Sequence, residues 1–140
     1  MKKKFLIVVA NYYEDISEGL LDSALKLVPK SNIIKIIKVP GVFEIPVTIS
    51  KNIKKYDAFI ALGCVIKGET PHFDFISQAI TNGIMDLSIL HKKPIGNAIL
   101  TCLNFAQIKK RTHKGAEAVK AVLDVLDPND NSGGIDFNKP

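Results

Sequence analysis

Tryptophan is absent from the 140 residues, arginine occurs once, at Arg111, and cysteine twice, at Cys64 and Cys102. Two cysteines make no disulfide framework. Each lies in a strand-like apolar stretch, so both are expected to be buried, reduced thiols in a cytoplasmic protein. Long hydrophobic runs are missing too. The longest, Phe5 to Ala10 and Ala58 to Ile66, fall well short of the ~18 residues of a membrane span. Lys2, Lys3 and Lys4 ahead of Phe5 imitate a signal peptide, but the run stops at Asn11, Glu14 and Asp15 follow, and no small-residue cleavage site appears. No membrane partner is expected.

Several chemistries lack their residues. His72, His91 and His113 do not stand at metal-ligand spacing. The first turn, Asn11-Tyr12-Tyr13, carries no glycine-rich dinucleotide fingerprint, and no serine sits in a Gly-x-Ser-x-Gly elbow. The 19 basic against 14 acidic residues give a formal charge of +5. The lysines are nonetheless spread along the chain, dense only around Lys109 to Lys114, which argues for a solvated surface or a small anionic substrate over nucleic acid.

An apolar fraction of 46% and this length suit one compact domain. We expect it at residues 1–126, with 127–140 a mobile tail rich in Asp, Asn, Gly and Pro. Phe5 to Ala10, Ile33 to Val39, Ala58 to Ile66 and Ile95 to Cys102 read as strands. Helical spacing follows each of them: Ile16 to Val28, Ile45 to Ile53 with Pro46 in the first turn, Phe73 to Leu90, and one region from Phe105 to Leu126 in which Gly115 marks a kink. Such alternation predicts an α/β three-layer sandwich, a four-stranded parallel sheet with helices on both faces. Ligands bind such sheets at the carboxyl ends of the strands, where strand order switches.

Candidate chemistry gathers in the segments after the strands. Tyr12 and Tyr13 put two aromatics at the lip of the expected cleft, where a tyrosine can stack on a planar ring or simply pack. Glu44 can accept from a polyol or complement a helix dipole. Gly68, Glu69 and Thr70 before a helix start make a phosphate seat, though not a P-loop. His72, in the first turn of that helix, is either a proton shuttle or structural. Arg111 offers the one planar fork for a phosphate or carboxylate.

The runs Val39-Pro-Gly-Val-Phe-Glu-Ile-Pro46 and Gly63-Cys-Val-Ile-Lys-Gly-Glu-Thr-Pro-His-Phe73 resemble those of the lumazine synthase family, in order and over nearly the whole chain. The resemblance implies a flavodoxin-like fold. It also implies condensation of 5-amino-6-(ribitylamino)uracil with 3,4-dihydroxy-2-butanone 4-phosphate to give 6,7-dimethyl-8-ribityllumazine, phosphate and water, with no cofactor and no metal. Tyr12 would stack on the pyrimidine, Val42, Phe43 and Glu44 would hold the ribityl chain, and Val65 and Ile66 would meet the pyrimidine edge. Gly68, Glu69, Thr70 and Arg111 would bind phosphate, Lys114 would assist, and His72 would move protons. Asn97 and Arg111 would come from a neighbouring subunit, which implies a homo-oligomer with shared sites, and riboflavin synthase is the implied partner. The chain departs from the family in a short Arg111 to Lys114 connection, in His113 where an asparagine is usual, and in starting directly at the first strand. These departures favour an isolated ring of five over a larger shell. A carrier or ligand-binding protein that has lost activity is the alternative.

Overall fold

A computed structural model describes residues 2–68 and 72–127. Strands β1 (Lys4–Ala10), β2 (Ile33–Val39), β3 (Ala58–Ile66) and β4 (Ile95–Cys102) alternate with helices α1 (Glu14–Leu27), α2 (Ile45–Asn52), α3 (Phe73–His91), α4 (Phe105–Lys109) and α5 (Lys114–Leu126). A single 3₁₀ turn, Val42–Glu44, leads into α2. All strand pairs are parallel, in the order β2-β1-β3-β4. β1 and β3 are central and buried on both faces, as their unbroken β-branched runs demand.

Alternation divides the core into two layers. Phe5, Ile7 and Val9 face one way and pack with Leu20, Ala24, Val119 and Val122 of α1 and α5. Leu6, Val8 and Ala10 face the other and pack with Ile45, Ile49, Ile80 and Ile84 of α2 and α3. The result is the expected three-layer sandwich.

Strand and helix limits follow the sequence reading closely, except for the fourth helical region, which is two helices. The turn between them is stitched by Lys114 N–H to Arg111 O at 2.9 Å, Gly115 N–H to Thr112 O at 3.2 Å and Ala116 N–H to His113 O at 3.1 Å. Ser23 of α1 secures it from outside, donating to Thr112 O at 2.7 Å and accepting from Ala116 N–H at 3.1 Å. Gly115 is therefore no kink. It lies inside α5, where a β-carbon would stand 2.2 Å from Leu20 O, so it is the point at which α5 touches α1.

The amino ends of the strands correct the expectation of spread lysines. Lys2, Lys4, Lys54, Lys55 and Lys93, distant in sequence, line one concavity of about 350 Å³ with Tyr56. Parallel topology sends strand starts and helix ends to the same rim, where cations complement the helix dipoles. Asp127 is exposed, and the remainder of the tail expected at 127–140 lies outside the described residues.

Candidate active site

The opposite rim is built by the carboxyl ends. Asn11 N–H donates to Val39 O at 2.8 Å and Lys67 N–H to Cys102 O at 2.9 Å, so the ladders close level with one another and release four loops from one edge. Strand order switches between β1 and β3: β1 leads by way of α1 to β2, and β3 by way of α3 to β4. A crevice opens at that point. It holds about 250 Å³ between Tyr12, Val42, Phe43, Val65 and Ile66, with Tyr13, Gly41, Cys64 and Ile76 completing the wall.

Each wall has a local cause. Ser17, the buried polar side chain at the start of α1, donates to Ala10 O and lies 3.0 Å from Tyr13 O, tying the helix to the end of β1. This fixes the two tyrosines between them. Tyr12, 75% exposed, presents its ring at the lip with its edge against Tyr13 at 4.8 Å between centroids, and Tyr13 meets Phe105 of α4 at 5.1 Å. Gly63 lets the 3₁₀ turn sit on β3, since a β-carbon there would lie 2.8 Å from Val42.

Glu44 stands beside the cleft. A β-carbon on Gly41 would lie 3.3 Å from Glu44 Oε1, and although Glu44 precedes α2 its side chain makes no capping hydrogen bond. The carboxylate thus remains directed at Gly41 instead of being spent on the helix. Gly68 leaves β3 with a φ of 95°, a left-handed conformation that glycine adopts without strain. Glu69 and Thr70, expected at the phosphate seat, lie outside the described residues. His72 caps the start of α3, exposed, 6.5 Å from the Phe75 ring, and its carbonyl accepts from Ile76 N–H at 2.8 Å.

The remaining expected residues are not in this cleft. Asn97 and Lys114 line a second concavity of about 300 Å³ around the β4 edge and α5. Asn97 Oδ1 accepts from Ile99 N–H at 2.9 Å, and Lys114 Nζ lies 3.4 Å from Glu117 Oε1, whose other oxygen is 3.1 Å from His113 Nε2. Arg111 follows α4, its Nη1 3.6 Å from Cys102 Sγ. The expected residues therefore fall in separate places on one chain, some around the cleft and others at β4 and the turn before α5.

Sequence reasoning placed Tyr13 at the lip and missed Cys64 and Ile76 as lining residues. Cys64 lies within the run Gly63 to Phe73, and Ile76 belongs to the helical spacing of Phe73 to Leu90. Cys64 is a neutral floor: burial, with Cys102 nearby as the lesser cause, pushes its thiol up to about 12. Among the described residues, no three His, Cys, Asp or Glu side chains are grouped to hold a metal.

The sequence matches the family described as 6,7-dimethyl-8-ribityllumazine synthase over residues 2–129. Proteins of that name share much of it. The one from Paenarthrobacter aurescens (strain TC1) is 40% identical over 129 residues, covering 86% of this chain and 80% of the relative. That from Cutibacterium acnes is 39% identical over 132 residues, covering 88% and 80%. That from Renibacterium salmoninarum is 37% identical over 136 residues, covering 86% of each.

Proposed function

The chain belongs to the 6,7-dimethyl-8-ribityllumazine synthase family, and from that premise we infer that it condenses 5-amino-6-(ribitylamino)uracil with 3,4-dihydroxy-2-butanone 4-phosphate. The products are 6,7-dimethyl-8-ribityllumazine, phosphate and water, and the step is the penultimate one of riboflavin biosynthesis. The observation that carries the reading is the cleft at the strand-order switch, where Tyr12, Val42, Phe43, Val65 and Ile66 converge. It has a ring and an apolar slot for a heterocycle, with the Glu44 carboxylate beside Gly41 of its wall and His72 one helical turn before Ile76.

In this reading Tyr12 stacks on the pyrimidine while Val65 and Ile66 meet its edge. Val42 and Phe43 lie along the ribityl chain, and Glu44 accepts from its hydroxyls. The substrate amine attacks the ketone to form an imine, phosphate is eliminated, and the second amine closes the ring. Holding two substrates together replaces a bimolecular encounter with an intramolecular one, and His72 moves protons at the rim. Gly68, Glu69 and Thr70 seat the phosphate, with the Glu69 carboxylate turned away from the anion.

Asn97, Arg111 and Lys114 serve the cleft of a neighbouring copy. This is supported by the place of Asn97 and Lys114 at the β4 edge, by Arg111 beside the end of that strand, and by α3, which exposes Phe75, Met85, Ile89 and Leu90, apolar side chains of the kind that mark an interaction surface. A ring of five copies completes each site. Its working unit is the single domain of residues 1–126, and its product passes to riboflavin synthase. No helix among the described residues is long and apolar enough to cross a membrane, and both cysteines are free and buried; a cytoplasmic enzyme is the reading these support.

Incubation with both substrates, followed by lumazine fluorescence, tests the activity. Turnover is expected. A folded protein that binds the pyrimidine without forming lumazine would instead be a carrier.

A further inference from the structure

The sole arginine is pinned through its backbone, Arg111 N–H donating to Ile108 O at 2.8 Å and Arg111 O accepting from Lys114 N–H at 2.9 Å. Its side chain bonds to sulfur: Nη1 reaches Cys102 Sγ at 3.6 Å. Among the described residues the ion pairs are those of Glu117 with His113 and Lys114, so no carboxylate there neutralises Arg111.

The sulfur is a fixed point. Cys102 is 2% exposed and ends β4, its carbonyl accepts from Lys67 N–H at 2.9 Å, and it belongs to the same core layer as Cys64 of the cleft floor. A thioether or thiol sulfur is a weak acceptor, whereas a carboxylate forms charge-assisted, bidentate bonds with guanidinium. A carboxylate at this position would orient the fork and also occupy and neutralise it. A single sulfur engages one of five donors and leaves four for an anion. Restricting the side chain beforehand also lowers the rotamer entropy lost when that anion arrives.

We infer that Cys102 is a positioning residue: its sulfur holds the Arg111 guanidinium at the end of β4, pre-set for the phosphate ester of the butanone substrate. The inference rests on the phosphate-binding reading of Arg111 given above. A role confined to packing would disturb both substrates alike, because Cys102 sits in the core beside the cleft floor.

The test is steady-state kinetics with each substrate varied, together with inhibition by inorganic phosphate. Cys102→Ala should raise KM for the butanone phosphate about threefold to tenfold, the range of one lost hydrogen bond. It should weaken phosphate inhibition by a similar factor and leave KM for the pyrimidine unchanged. Cys102→Ser, which keeps an acceptor, should stay within about twofold of the parent. Cys102→Val fills the space without an acceptor and must show the same selective loss if the alanine variant does not fold. In an Arg111→Ala background, Cys102→Ala should add nothing for phosphate. An unchanged phosphate KM in folded Cys102→Ala or Cys102→Val, an equal rise for both substrates, or independent effects in the double variant would each overturn the inference. Arg111→Ala without effect on phosphate would overturn the phosphate reading itself, and this inference with it.

Discussion

His72 stands exposed at the amino end of α3, where an imidazole can exchange protons with a bound substrate. His72→Ala should therefore keep its fold by circular dichroism while kcat falls. The loss should lie near or below the lower end of the roughly 100- to 10,000-fold that acid–base catalysis typically supplies, since positioning carries much of this reaction. An unchanged kcat removes His72 from the mechanism. Cys64 makes a second expectation. Its folded pKa, raised from 9.0 to about 12 chiefly by burial, lies above its unfolded value, so the folded state holds the proton longer. The stabilisation is complete below about pH 9 and is lost as pH rises toward 12. Denaturant melts of the parent should weaken over that range, and Cys64→Ala, whatever its neutral stability, should show a shallower decline. Single residues were legible where a strand end and a motif coincide, as at Tyr12, Val42 and Val65. Tyr13 was legible beside Tyr12 as an aromatic at the lip, but its edge contact with Phe105 was not, being a pairing across the fold that no local pattern records.

The four strands were legible because each is a short apolar run closed by a turn signal, and the first three helices because their 3.6-residue stripes face a buried sheet. The break between α4 and α5 was hidden. Lys109 to His113 contains neither glycine nor proline, and what ends the helix there is a hydroxyl on another element, Ser23, bonded to Thr112 O and Ala116 N–H. Gly115 misled for a related reason. Glycine in a helix suggests weakness, yet here it marks the closest approach of two helices. Gly115→Ala in an exposed helix would stabilise by about 1 kcal/mol. At this contact, with Leu20 O at 2.2 Å and Ser23 Oγ at 2.4 Å from the added carbon, the backbone has to shift. The expected cost is about 2 kcal/mol, or roughly 6 °C in Tm. Calorimetry decides it by the sign of the change, and a rise in Tm would show that α1 and α5 separate freely.

At the scale of the whole molecule the cleft and the β4 concavity have separate linings, and the proposed shared site has a second copy bring the edge of one to the cleft of the other. Contacts of that heterologous kind close into a ring by rotation. Light scattering on dilute, active protein should return a pentamer. An active monomer would overturn the shared site, and a hollow shell only the isolated ring. β1 also carries a consequence in time rather than space. Two of the three ladders run through it, to β2 on one side and β3 on the other, and every pairing is parallel, so no hairpin is available to start the sheet. Synthesised ahead of both partners, β1 waits with the apolar run Phe5 to Ala10 unpaired, the kind of run that recruits its own copies. The lysines ahead of Phe5 are then gatekeepers of the nascent chain. Like charge on every copy holds these strands apart until β2 and β3 have been made.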